Sequence, residues 1–240
     1  VFNADNPTAF DVYKLFGSDG LLDGLFNLAD QKQSFIFTLN QDLLLERRLG
    51  HRAAGAPPFP EEFYQFDGQR EFIKEYFVTL SKDNIDSEIE KSIQNHGGIH
   101  YIKLHGSFGW KSFDGSNQMA LGKNKWENLR KEPLLRSYFN LFNKIIHEGN
   151  KKILIMGYGF GDEHVNRLLM DGVQNYNLKL YIITTMPIHD FDANLRNGHP
   201  YAVGLKQGIR GYFPYRLAEI LPRNQTGSVH LDEIKKALRE

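Results

Sequence analysis

Short apolar runs that stop at small polar or glycine residues recur along this chain, each followed by a longer stretch with apolar positions three and four apart. The clearest case opens at Ser34. Phe35 to Thr38 is a run of aromatic and β-branched residues that reads as a buried strand. It halts at Thr38, Asn40 and Asp42, and the Leu-rich stretch to Leu49 reads as a helix with Gly50 at its C-cap. Tyr101-Ile-Lys-Leu-His-Gly-Ser107 repeats the pattern, and so does Ile153-Leu-Ile-Met-Gly-Tyr-Gly-Phe-Gly-Asp-Glu-His164. In open α/β sheets ligands bind at the carboxyl ends of strands. Three strand ends carrying Asn/Asp, His/Gly and a glycine-rich turn therefore predict one composite site.

The rest of the chain fits the same alternation. Asn6-Pro7 reads as a helix opening and Gly17 as its end. Leu21, Leu22, Leu25, Phe26 and Ala29 mark a helical face. Residues 51–60 form a Pro-rich loop, the expected hinge. Helices are predicted around 72–80 and 86–94, then a strand over 99–104. Residues 107–132 are polar and rich in Gly and Asn, which predicts an excursion or lid outside the core. Pro133 opens a helix with Leu135, Phe139, Phe142, Ile145 and Ile146 on its apolar side, closed by Gly149. A strand at 153–157, a helix at 162–174 and a strand at 179–184 follow. The remainder to Pro222 is punctuated by Gly and Pro, and a last helix is expected near 229–239. Strands alternating with helices predict an α/β, Rossmann-like open parallel sheet with right-handed crossovers, flanked by helices and carrying a small helical or loop insertion. Four strands are clear.

Composition narrows the function classes. The chain has 240 residues, enough for one large domain or two small ones, and 41% are hydrophobic, which speaks for a folded globule. Lys+Arg and Asp+Glu both number 29, so there is no overall basic footprint for nucleic acid. There are no cysteines, which excludes disulfides, thiolate zinc sites and a Cys nucleophile and accords with a reducing cytoplasm. No apolar run reaches the roughly 20 residues that cross a bilayer, so no membrane association is expected. The chain opens on Val1, not Met, and is read as part of a longer one.

Of the candidate chemistry, the turn Gly157-Tyr-Gly-Phe-Gly161 sits where a dinucleotide fingerprint belongs, but Asp162 occupies the place of its third glycine. Asp162 reads equally as a cap on the following helix. His105, directly after an apolar strand, suits general-base work, because imidazole titrates near neutrality. His96, His100 and His164 match no metal-site spacing and read as surface or capping residues, so no metal is expected. Asn40 and Asp42 also have a local reading, as cap and first-turn residues of the next helix. Trp110 and Trp126 read as packing within the excursion, and the paired lysines and arginines after residue 122 as solvated faces.

Together the three stretches resemble the sirtuin family, and specifically its prokaryotic sirtuin-like NADase branch from anti-phage defence. Thr38-Leu-Asn-Gln-Asp42 is similar to the family's T-x-N-x-D segment. His105-Gly106 is similar to its H-G pair, and Gly157-Tyr-Gly-Phe-Gly-Asp-Glu-His-Val165 to the G-Y-S-F-x-D-x-H-I segment of the NADases. The resemblance covers about 34–185 and implies a single sirtuin-like domain over 1–240, with a C-terminal extension from about 186. The family's G-A-G-x-S phosphate loop does not occur in these residues, and with a first strand it is expected ahead of Val1.

The resemblance implies that NAD+ is a substrate. Asn40 and His105 would be catalytic, and Thr38, Gln41, Asp42, Gly157, Tyr158 and Thr184 would bind the dinucleotide. The implied reaction is hydrolysis of NAD+ to nicotinamide and ADP-ribose, by an effector of abortive infection in the cytoplasm. Implied partners are further copies of the chain and a HerA-type ATPase, an Argonaute or another defence protein, with no direct nucleic-acid binding. Two other readings stay open: an NAD-dependent protein deacylase, and a non-catalytic nucleotide-binding scaffold module. Sirtuin deacylases carry a four-Cys zinc module and a Gln where Leu39 stands, so the absence of cysteine weighs against the first of these.

Overall fold

The β-branched and aromatic run after residue 32 forms strand β1, Gln33–Thr38. A computed structural model describes residues 33–41, 54–55, 85–95, 98–111, 117–119, 125–198, 200–222 and 227–240 of the chain. Asp42, the helices expected near 6–29, 43–49 and 72–80, and most of the 51–60 hinge lie outside the described residues. Those described fall into two compact units, one ending at Phe142 and one beginning at Asn143.

In the first unit β2, Ala54–Gly55, is followed by helix α1, Ile85–Asn95, and strand β3, Gly98–Lys103. The strands pair in parallel in the order β1-β3-β2. In register, Gln33 faces Gly98 and Thr38 faces Lys103. The central β3 is covered on both faces, as parallel strands are, with Tyr101 and Ile102 at most 2% exposed. That placement corrects the reading of His100 as a surface or capping residue. It lies in the core, its ring stacked on its cross-strand partner Phe35 at 5.1 Å.

The expected excursion contains regular structure. β4, Gly106–Lys111, pairs antiparallel with β5, Asn117–Met119, and α2, Lys125–Lys131, buries Leu129. The hairpin is hidden in a polar, glycine-rich stretch, and a register shift between Gly106 and Lys111 breaks the two-residue alternation. Helix α3, Pro133–His147, packs Phe142 against Phe37 of β1 at 4.5 Å, and its Phe139 meets Trp126 edge-on. The unit boundary falls within α3, after Phe142. The predicted apolar side of α3 is buried, except that Ile145 is half-exposed and Leu134 and Tyr138 join it.

In the second unit β6, Lys152–Met156, leads into helix α4, Glu163–Asn175, and β7, Lys179–Ile183. Helices α5, Ile188–Gly198, and α6, Ala202–Gly208, precede strand β8, Ile209–Phe213. A short α7, Leu217–Ile220, and the expected final helix α8, Val229–Arg239, close the chain. Strands pair in parallel in the order β6-β7-β8, with Leu180 to Ile183 of the central strand buried. The parallel strands thus form two hydrogen-bonded sheets among the described residues, each in an α/β, Rossmann-like arrangement with flanking helices. Four strands were clear from the pattern, and β8 escaped it because Gly211 interrupts the apolar run. A Cβ on Gly211 would sit 2.8 Å from the rings of Phe213 and Tyr181, so any side chain there would have to displace a ring. No helix among the described residues is long and apolar enough to cross a membrane.

Candidate functional site

The first unit brings two of the predicted strand ends side by side. Thr38 closes β1 opposite Lys103, and the ladder runs one step further, with the Leu104 N–H donating to the Thr38 carbonyl at 2.9 Å. The Asn40 N–H then turns back to Thr38 Oγ1 at 3.1 Å. Such a hydroxyl-closed turn bends the chain sharply out of the sheet, and here it leaves Asn40 exposed. His105 follows the neighbouring strand and is 2% exposed. The next residue, Gly106, has φ +77°, a left-handed conformation that lets the chain reverse into β4.

Two hydrogen bonds join these two exits, and a third supports them from the His105 side. Gln41 Nε2 donates to the His105 carbonyl at 3.2 Å. Ser107 Oγ donates to the Gln41 carbonyl at 3.4 Å, and accepts from the Lys103 ammonium at 2.8 Å. Lys103 and Ser107 are both fully buried. Asn40, His105, Thr38 and Gln41 are thus gathered at adjoining carboxyl ends of parallel strands, and Asp42 lies outside the described residues. Gln41, expected to bind ligand, directs its side-chain amide to the His105 carbonyl.

The second unit carries the glycine turn. Gly157 has φ +62° and donates to the Ile183 carbonyl at 3.1 Å, extending the β6–β7 ladder. Tyr158 OH lies 2.9 Å from Asn166 Oδ1 and 3.2 Å from the Asp162 carbonyl, and Asn166 Nδ2 donates to the Phe160 carbonyl at 2.9 Å. Phe160, at φ +55°, is held in a left-handed conformation that side chains rarely adopt. Burial first, then the nearby Asp162 carboxylate, pushes the Tyr158 phenol well above its ordinary range, so it stays a neutral donor. Asp162 occupies the N-cap position of α4, but its side chain makes no capping hydrogen bond, which corrects that expectation. Thr184 follows β7 and accepts from the Met186 N–H at 3.2 Å, the same turn that Thr38 makes in the first unit.

Gly159 and Gly161 are exposed, have no left-handed backbone, and a Cβ on either would meet nothing within 4 Å. No contact among the described residues requires glycine at either position.

Lys103, Ser107 and Asn166 escaped sequence reasoning. Each left a signal: a lysine within the apolar strand Tyr101–Leu104, a serine directly after His-Gly, and an amide among Val165, Leu168 and Leu169 on the buried face of a helix.

Each unit is a parallel α/β arrangement with polar residues clustered at the carboxyl ends of its strands, the edge where such sheets bind their ligands. Residues 34–198 match the family model of the SIR2-like domain, and the chain belongs to that family, whose domains are NAD-dependent enzymes. No curated protein matches the chain.

Proposed function

We propose that the protein is an NAD+ glycohydrolase, cleaving NAD+ to nicotinamide and ADP-ribose as an effector of anti-phage defence. The observation that carries this reading is the placement of Asn40 and His105 on adjoining strand ends, tied by the Thr38–Leu104 and Gln41–His105 hydrogen bonds. The bond between the nicotinamide nitrogen and the ribose anomeric carbon breaks, and its electron pair neutralises the pyridinium as it departs. The ribose acquires oxocarbenium character and is captured by water. The Asn40 amide orients that water or the ribose, and His105 takes the proton that the water loses. Thr38 and Gln41 shape this end of the site, and Asp42 favours the positive sugar. For Gly157, Tyr158 and Thr184 in the second unit, the proposed roles are the dinucleotide-binding ones that the resemblance implies.

His105 is buried in this conformation. On this reading its imidazole is uncovered before ribose reaches it, which suits an effector held silent until triggered. Assembly with further copies, or with a HerA-type ATPase, an Argonaute or another defence protein in the cytoplasm, is the proposed form of that control.

The test is to incubate the full-length protein, alone and with any partner, with NAD+ and follow nicotinamide and ADP-ribose by chromatography. Asn40→Ala and His105→Ala are each expected to lower turnover by about 100-fold or more. Unchanged turnover in both variants, or none in wild type under every assembly state, overturns the reading. A lysine peptide deacylated only in the presence of NAD+ would select the deacylase, and binding without turnover the scaffold.

A further inference from the structure

A lysine fully buried at the end of a central parallel strand is an unusual choice, because such strands otherwise read as continuous apolar runs. Lys103 occupies that place with 0% exposure, and its ammonium donates to Ser107 Oγ at 2.8 Å. A serine hydroxyl has one proton and two lone pairs. Accepting from Lys103 leaves the Ser107 proton free to point at its other neighbour, the Gln41 carbonyl at 3.4 Å. The Gln41 side chain reaches back in the opposite direction, to the His105 carbonyl. The segment carrying Asn40 is therefore held at both ends. Thr38 fixes it where it leaves β1, and the chain from Lys103 through Ser107 to Gln41 fixes it one residue past Asn40.

We propose that Lys103, Ser107 and Gln41 form a positioning clasp that sets the exposed Asn40 against the turn carrying His105. Lys103 donating to Ser107 Oγ polarises the hydroxyl and aims its proton at the Gln41 carbonyl, since successive hydrogen bonds in a chain reinforce one another. None of the three touches reacting atoms. They act through the geometry of Asn40, and in its activity arm the proposal rests on the NAD+ cleavage argued above.

The experiment combines two readouts on the full chain. Hydrogen–deuterium exchange of residues 38–41 reports the clasp whether or not NAD+ is cleaved, with β6 and β7 as the internal reference. Turnover of NAD+, resolved into kcat and KM, reports its consequence. Ser107→Ala is expected to raise exchange at 38–41 several-fold while β6 and β7 stay as protected as in wild type. Its kcat is expected to fall on the order of 10–100-fold with KM little changed, as for a displaced catalytic group. Ser107→Thr, which keeps the hydroxyl, is expected to restore both readouts. Gln41→Ala is expected to resemble Ser107→Ala, and so is Lys103→Met where it folds. If it does not fold, the two Ser107 variants decide. The clasp is overturned if Ser107→Ala leaves exchange at 38–41 unchanged, or if it raises exchange equally in β6 and β7. Should wild type cleave no NAD+, the functional reading falls, and the exchange readout still decides the clasp.

Discussion

A wholly buried amide has to place both its donor and its acceptor inside the protein. Asn166 does so by receiving Tyr158 OH and donating to the Phe160 carbonyl. Removing the Tyr158 hydroxyl takes one buried hydrogen bond from Asn166 Oδ1, and a typical bond of this kind contributes about 0.5–1.5 kcal/mol. Tyr158→Phe is thus expected to lower stability by that order in denaturant unfolding. It also has a pH signature. The Tyr158 phenol is raised above the ordinary value of 10.0, so its contribution is fully present below pH 10. As pH rises past that value the unfolded chain ionises while the folded phenol does not, and stability falls. Several other tyrosines are raised too, so the readout is the difference between wild type and Tyr158→Phe, which should narrow between pH 10 and 12. A constant difference would mean that the phenol does not titrate in this way. Gly159 and Gly161 give the converse prediction. With no clash and no left-handed backbone at either, alanine is expected to be neutral or to stabilise by about 0.4–1 kcal/mol through the unfolded state. If nucleotide approaches this backbone, the same variants weaken ADP-ribose binding in calorimetry, and unchanged affinity would remove the turn from the binding role.

At the scale of elements, legibility followed periodicity. β1, β3, β6 and β7 stood out because a parallel strand covered on both faces is a continuous apolar run, and α3, α4 and α8 because their apolar positions recur at helical spacing. The placement of Asn40 and His105 was legible for a related reason: polar groups directly after such runs must lie at strand ends. What stayed hidden depends on tertiary approach. No local pattern reports that Gly211 is squeezed between two rings, or that a lysine inside a strand will meet a serine four residues on. Gly172 is of the same kind. A Cβ there would come within 2.5 Å of Ile146 Cγ2 and 2.8 Å of Leu178 Cδ2, so α4 packs this closely because the position is bare. Gly172→Ala adds one methyl to a filled interior and is expected to destabilise by about 1–3 kcal/mol despite the better helix propensity of alanine. A gain in melting temperature would show that Ile146 and Leu178 can give way.

For the molecule as a whole, the decisive question is whether nucleotide binding and bond cleavage can be separated. ADP-ribose retains every part of NAD+ except the leaving pyridine, so a protein built for NAD+ should bind it without turning it over. A ligand at about 100 times its Kd stabilises the folded state by about 2.7 kcal/mol. In a chain of this length about 1 kcal/mol moves the melting temperature by roughly 2–4 °C, so a saturating shift of about 5–10 °C is expected in wild type. Asn40 is proposed to act on the reacting bond, not on the adenosine diphosphate, so Asn40→Ala should keep most of that shift while losing its turnover. This pairing separates the enzyme from the scaffold. A scaffold would give the same shift in both proteins with no nicotinamide released by either, and loss of the shift in Asn40→Ala would make that residue a binding group. No shift in wild type at millimolar ADP-ribose would count against a nucleotide site anywhere on the chain.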